Sequence, residues 1–305
     1  MPRKIKIDKE TMAFRFSKLK QMQILPLSAK IKASERRIIE WYDHYAGDVS
    51  ISFSGGLDST VLLHMVRSLY PSAPAIFSNT GLEYPENVEF VKTCDNIQII
   101  KPEKSFLEVI KKYGYPVVSK MIAFYVHQLQ ISKFETVRKL RIGGITRSGQ
   151  YMRSCQIPLK WQFLEKAPFK ISAYCCDWLK KKPLSSFNNP YIGILCAESS
   201  QREKTYMQTG CNFFSNGHNR SWPMAFWTRE DVLNYIKENN LRYSKIYDMG
   251  YERTGCMYCL FGLHMEKRPN RFDKMKNTHP KIFDWCMNGP LKLKEIIKFT
   301  YKMEY

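Results

Sequence analysis

The chain has 305 residues, and 48 Lys and Arg against 28 Asp and Glu leave a net charge of +20. A hydrophobic share of 44% with 14% aromatics excludes a disordered or low-complexity chain. The length suits one large or two modest domains with ample core. No run approaches 18 uncharged apolar residues, and the start MPRKIKIDKE lacks an apolar stretch. A membrane span and a secretory signal are therefore not expected, and the chain reads as a globular cytoplasmic protein.

Residues 1–29 are basic, with seven Lys and Arg among the first twenty, and read as an irregular arm or edge element. Residues 30–46 form an amphipathic helix with Ile31, Ile38, Tyr42 and Tyr45 on one stripe. Strands are expected at Val49–Phe53, Ala75–Ser78 and Ile97–Ile100, separated by a helix carrying Leu62, Leu63, Val66 and Leu69 and by another starting near Pro85. This alternation argues for a parallel sheet with crossover helices. Residues 101–174 are less regular, and 119–170 carry ten Lys and Arg against two Asp and Glu, interspersed with Phe124, Tyr125, Trp161 and Phe163. Tyr191–Cys196 resumes as a strand, a helix follows Ser199, and Thr228 with Asp231 opens another through a capping box. The end of the chain, 262–305, reads as helical and basic.

The first chemical motif is Ser54-Gly55-Gly56-Leu57-Asp58-Ser59-Thr60, placed directly after a strand and opening a helix. Two glycines let the backbone turn tightly and approach a ligand. Consecutive N–H groups at the helix start then form an anion nest, to which Ser54, Ser59 and Thr60 add hydroxyls. Asp58 is a poor phosphate contact, so a role with Mg²⁺ or in polarity suits it better. No Walker-A pattern occurs.

Nine cysteines, an odd number in a chain of this size, point to metal or chemistry rather than disulfides. Cys175 and Cys176 are adjacent, and Cys256 and Cys259 form a C-x-x-C. Four thiolates from two stretches can complete a tetrahedral site. Adjacent cysteines reach two irons of a cubane more easily than one zinc, so a [4Fe-4S] cluster is favoured over structural zinc. Lys180, Lys181 and Lys182 follow the pair and would either face a bound phosphate or sulfate or form a solvated run. Cys94 and Cys196 read as core, Cys155 and Cys211 as loop residues, and His264 and His279 as ordinary side chains.

SGGLDS after a buried strand resembles the signature loop of the PP-loop ATP pyrophosphatase superfamily, and within it the chain resembles the adenylylsulfate/phosphoadenylylsulfate (PAPS) reductase-like family. The likeness runs from about residue 48 to 285. Asn79-Thr80-Gly81-Leu82-Glu83-Tyr84-Pro85-Glu86 is similar to the family's second-strand motif, GILCAESSQR (193–202) to its later strand and loop, and PMAFWTREDVLNYI (223–236) to a further segment. The Cys-Cys…Cys-x-x-Cys pattern is similar to the [4Fe-4S] signature of cluster-bearing adenylylsulfate reductases.

The resemblance implies an α/β fold: a Rossmann-like (adenine nucleotide alpha hydrolase-like) five-stranded parallel sheet with helices on both faces. A helical C-terminal region follows. The implied organisation is a basic arm and helix over 1–46, a nucleotide-binding domain over 47–260 with a basic insertion at about 101–174, and a helical region over 261–305. Ser54, Gly55, Gly56, Asp58, Ser59 and Thr60 would hold ATP, or adenylylsulfate or PAPS, together with Asn79, Thr80, Gly81, Glu83, Gly193, Glu198, Ser199 and Arg202. Asp58 and Arg202 are the expected catalytic side chains; a guanidinium suits phosphate oxygens. Cys175, Cys176, Cys256 and Cys259 would hold the cluster.

Relatives that cleave ATP between the α- and β-phosphates imply adenylylation followed by sulfur transfer. The basic stretch with aromatics fits a DNA or tRNA acceptor, and a sulfur or electron donor protein is expected. The alternative is a sulfonucleotide reductase releasing sulfite. Its Glu-Cys-Gly-x-His nucleophile motif is missing here, and the last cysteine is Cys286. A non-catalytic nucleotide- or redox-sensing protein on nucleic acid is the third expectation.

Overall fold

In a computed structural model, residues 8–215 and 219–305 are described, and they divide into two compact units. The described residues hold eight strands: β1 Ser50–Ser52, β2 Ala75–Ser78, β3 Ile97–Ile100, β4 Val117–Val118, β5 Pro190–Ile192, β6 Asn212–Phe213, β7 Arg220–Ser221 and β8 Leu260–Phe261.

The first unit comprises residues up to 78 with 85–100 and 184–248. Its six-stranded sheet has the order β3-β2-β1-β5-β7-β6. All pairs are parallel except β6 with β7. The expected five-stranded parallel sheet thus gains a sixth, antiparallel strand at its edge. Asn212 and Arg220, polar residues in a two-residue pair, give no alternation from which to read it. Ile51 faces Ala75 on one side and Tyr191 on the other. All three are fully buried, along with Phe77, Val61, Leu62 and Trp227.

Helix Leu27–His44 turns Lys30, Ser34, Ile38 and Trp41 inward, a stripe of helical spacing. Two of these are polar and both are satisfied. Lys30 pairs with Asp231 at 2.6 Å, and Ser34 donates to the Pro223 carbonyl and accepts from the Trp227 indole. Asp231 also closes the capping box with Thr228 that starts helix Arg229–Glu238.

Two expectations about local structure need correction. Residues 1–7 lie outside the described residues, but Lys9–Gln23 is a helix rather than an irregular arm, capped by Asp8. Only Leu19 on it is buried. With a single inward residue there is no apolar stripe to read, and the helix is held by polar contacts: Lys20 to Glu203 at 2.6 Å and Arg15 to the Met207 carbonyl. The expected strand Tyr191–Cys196 is shorter, ending at Ile192. Cys196 sits buried in a short 3₁₀ turn before helix Ser200–Thr209.

The second unit comprises 79–84, 101–183 and the residues from 249 onward. β4 and β8 pair in parallel. The Tyr301 hydroxyl accepts from the Val118 amide and donates to the Leu260 carbonyl, both at 2.7 Å, so the last helix, Leu293–Tyr301, is tied to both strands. The basic stretch is more regular than its sequence suggests, with helices Phe106–Tyr113, Lys120–Ile131 and Glu135–Ile142 and a 3₁₀ segment Leu159–Lys166. Helices Arg271–Thr278, Pro280–Asn288 and Leu293–Tyr301 form the helical C-terminal region. No described helix is long and apolar enough to cross a membrane.

Candidate functional site

In the first unit, β2 and β3 lie on one side of β1 and β5 on the other. The chain order therefore reverses between β1 and β5, the place where open α/β sheets bind ligands beyond their strand ends. The loop leaving β1 is Ser54–Gly56, and helix Leu57–Leu69 follows. Gly55 has φ +71, and a Cβ there would stand 3.0 Å from Val91 Cγ2. The helix is capped by Gly56, whose lack of a side chain leaves no cap hydrogen bond from the chain's own turn. The serines organise the turn internally. Ser59 Oγ accepts from the Ser54 amide and donates to the Gly56 carbonyl, and it stands 3.0 Å from Ser54 Oγ. Thr60 Oγ1 also donates to the Gly56 carbonyl.

Gly193 follows β5 and abuts this helix. A Cβ there would meet the Asp58 carbonyl oxygen at 3.0 Å and the Ser59 nitrogen at 3.2 Å. Ser199 serves as the N-cap of Ser200–Thr209, accepting from the Arg202 amide, and Arg202 pairs with Glu198 one turn back. Asp58 is paired with Arg229 at 3.2 Å, and the Leu57 amide donates to the Tyr247 hydroxyl. Arg229 and Tyr247 escaped sequence reasoning. The signal available was their position, Arg229 being the first residue after the capping Thr228 and Tyr247 lying in the Ile246-Tyr247-Asp248 segment.

Asn79, Thr80, Gly81 and Glu83 belong to the second unit. Glu83 accepts from the Thr80 amide and hydroxyl and from the Leu82 amide, and Asn79 accepts from the Gly81 amide. The motif's polar side chains thus shape their own turn. The turn is joined to the C-x-x-C stretch, because the Met257 amide donates to the Leu82 carbonyl at 2.7 Å.

The second unit brings Cys175, Cys176, Cys256 and Cys259 together around one small cavity, which Leu82, Phe106, Pro116, Leu179 and Lys180 complete. Cys175 and Cys176 lie in one helical turn that continues as a π-helical stretch, Asp177–Lys181. Such widened turns recur at functional sites. A hydrogen bond from Cys175 to Cys176, added to burial, holds the Cys175 thiol far above its ordinary value. That bond, followed by Lys120 and Lys180, outweighs burial and brings Cys176 below it. Burial pushes Cys256 up to about 11 and raises Cys259. Lys180 stands among them: burial pulls its ammonium down, but Cys256, Glu83 and Cys176 together hold it above its usual value. The lysine run thus divides by role, since Lys181 pairs with Asp177 and Lys182 with Glu103. Among the described residues no three His, Cys, Asp or Glu side chains form a group fit to hold a single metal ion.

A second, larger cavity in this unit shares Cys256 and is lined by Arg253, Lys267, Arg268, Arg271 and Lys274 against Glu252 and Glu266. Arg271 donates to the carbonyls of Cys259 and Phe261 and pairs with Glu266, which fixes the strand leaving the C-x-x-C. Sequence reasoning passed over this cluster because its cations are spread among turns with no motif spacing. The buried thiols outside the cavity are poor reagents. Cys286 is fully buried and raised by burial to about 12, and Cys211 is raised to about 11. Cys196 is core as expected, whereas Cys94 is only half-buried.

The fold and loop define an α/β protein of the PP-loop kind. The phosphoadenosine phosphosulfate reductase domain model matches residues 48–260, and the chain belongs to that family. An adenosine 5′-phosphosulfate reductase of Lysinibacillus sphaericus is 22% identical over 227 residues, covering 73% of this chain and 78% of its own. An uncharacterised protein of Methanocaldococcus jannaschii is 25% identical over 244 residues, covering 77% of this chain. The chain spans under half of that relative's length, 46%. Among solved structures, a PAPS reductase from Candida auris in complex with phosphate is 17% identical with a TM-score of 0.42, covering 83% of this chain and 97% of its own. A U34-tRNA thiolase from Methanococcus maripaludis with its [4Fe-4S] cluster is 16% identical with a TM-score of 0.35, covering 87% and 80%.

Proposed function

We propose that the chain is a PP-loop enzyme that binds ATP with Mg²⁺ at residues 54–60 and holds a [4Fe-4S] cluster on Cys175, Cys176, Cys256 and Cys259. It would cleave ATP between the α- and β-phosphates to activate an acceptor oxygen as its adenylate, from which a sulfur nucleophile displaces AMP. The observation carrying this reading is the convergence of four cysteines, from two stretches far apart in sequence, on one cavity. What supports it is donor chemistry: four sulfurs line one cavity with cationic Lys180 beside them to offset the charge of four thiolates, although among the described residues they are not drawn together as a metal-holding group. When bound, the cluster would supply redox chemistry or a site for sulfur.

The chain's own residues do the rest. The glycine turn and open helix start receive phosphate oxygens, Gly193 keeps the second loop close, and Arg202 offers a guanidinium for the charge that develops on the leaving pyrophosphate. Arg229 holds Asp58 in place beside the helix start. Sulfur would come from a separate donor, a persulfide or sulfide carrier.

A second reading, reduction of adenylylsulfate or PAPS to sulfite, is favoured by the curated relatives of that name, which align over 73% of the chain. Against it stand the missing Glu-Cys-Gly-x-His motif and the burial of Cys286. The test is a product assay on anaerobic, iron-loaded protein. Pyrophosphate and AMP from ATP with an acceptor support sulfur transfer. Sulfite from adenylylsulfate with thioredoxin supports the reductase.

A further inference from the structure

Residues 120–170 of the second unit fold into one subassembly that exposes aromatic rings and several cations. Helix Lys120–Ile131 packs on both Glu135–Ile142 and Leu159–Lys166. Arg141, buried, ties the parts together by donating to Gln128 and to the Cys155 carbonyl while stacking on Tyr125 at 3.7 Å. Of the four aromatics that the sequence singles out here, Trp161 is core, Tyr125 lies under Arg141, and Phe163 is exposed. Two others present themselves instead: Phe134 is 75% exposed and Tyr151 57%.

Phe134 stands at the start of helix Glu135–Ile142, its main-chain carbonyl accepting from the amides of Val137 and Arg138 and its amide donating to Ser132, with its ring in solvent. Tyr151 is pressed against Gly144, where a Cβ would stand 2.9 Å from the ring, and its hydroxyl donates to Gln156. Exposed Lys133, Lys139, Arg147, Arg153, Lys160 and Lys166 belong to the same segments, where Glu135 and Glu165 are the acidic residues. Glu165 is paired with Arg138.

Exposed rings among exposed cations are costly to keep in water and gain nothing from a small anion. They suit a polyanion whose bases are unstacked, because each ring can take a base face while the cations follow the phosphates. We infer that this subassembly binds single-stranded nucleic acid, in a strand or a loop, with Phe134 and Tyr151 as stacking platforms. The inference rests on the sulfur-transfer reading only in making that strand the acceptor; binding itself can be tested without turnover.

The test titrates the full chain with labelled 12-nucleotide oligouridine, oligothymidine and a 12-base-pair duplex across a salt series, with heparin as a plain polyanion. The expected result is tighter binding of single strands than of duplex. Phe134→Ala and Tyr151→Ala should each weaken single-strand binding about tenfold with an unchanged salt slope. Tyr151→Phe should bind like the parent. Lys139→Glu with Arg147→Glu should lower affinity for every polyanion and flatten the salt slope. Uridine and thymidine arms separate RNA from DNA. Equal binding of duplex, heparin and single strands with no loss in the alanine variants would overturn the inference and leave an undifferentiated basic surface. Loss of ATP cleavage in a protein that still binds oligouridine through Phe134 would count against the enzymatic reading and not against this one.

Discussion

The phosphate loop of the first unit and the thiol cavity of the second are built in opposite ways. The loop is self-sufficient: Ser54, Ser59 and Thr60 spend their hydroxyls on one another and on the Gly56 carbonyl, all within seven residues. The cavity is assembled from several distant stretches and is electrostatically unfinished, with Cys175, Cys256 and Cys259 raised, Cys176 lowered, and Lys180 beside them. A local site tolerates little change in backbone shape and much change elsewhere. An assembled site depends on each contributor and on a group that neutralises it. The difference makes the two sites separable by mutation.

The largest effect is expected from Cys256→Ser. Anaerobic reconstitution should load about four irons per chain in the parent and well under half of that in the variant, read by iron content and visible absorbance. ATP affinity should stay unchanged, and a matching loss of ATP binding would break the separation. Gly193→Ala is the converse. The added methyl sits 3.0 Å from backbone that cannot yield cheaply. It should cost about 1–3 kcal/mol of stability and at least tenfold in ATP affinity, while iron loading persists. Lys180→Met removes the ammonium shared by Cys256 and Glu83. Iron should be taken up more slowly and lost faster in air, with ATP binding intact.

Smaller effects lie in the supports. Arg229→Met leaves Asp58 without its 3.2 Å partner, but the pair is partly exposed. Thermal unfolding should move by no more than about 1 kcal/mol, and the change should show instead in the Mg²⁺ dependence of ATP binding. Burial lowers the pKa of His64, His127 and His264. The unfolded chain therefore takes up these protons first as pH falls below its ordinary histidine value. The stability present above about pH 6.5 is then progressively lost toward pH 5. Melting curves of the metal-free protein should show this decline, and His64→Gln should reduce it.

What could be read from the sequence follows the same division. The strand, glycine turn and helix around SGGLDS were legible because they are contiguous, and Gly193, from a motif of similar compactness, abuts that helix. The cysteine quartet was legible by residue type, whereas the π-helical stretch after Cys176 and the placement of Lys180 were not. The placement of Lys180 depends on Glu83 and Cys256, far away in the chain. The ion pair of Asp58 with Arg229 and the hydrogen bond from Leu57 to Tyr247 were invisible for the same reason. Helix Lys9–Gln23 was missed because it buries Leu19 alone, so periodicity had nothing to register. Among the aromatics that the sequence singles out in the basic stretch, Trp161 is buried, while Phe134, which carries no motif signal, is exposed.

The central claim is that the loop serves ATP rather than a sulfated nucleotide. It is tested most directly by an anaerobic competition titration of the iron-loaded chain with ATP, adenylylsulfate and PAPS. The account predicts that ATP binds tightest, and that pyrophosphate and AMP appear once a single-stranded acceptor and a sulfur donor are supplied. Tighter binding of a sulfated nucleotide, with sulfite released on adding thioredoxin, would contradict it.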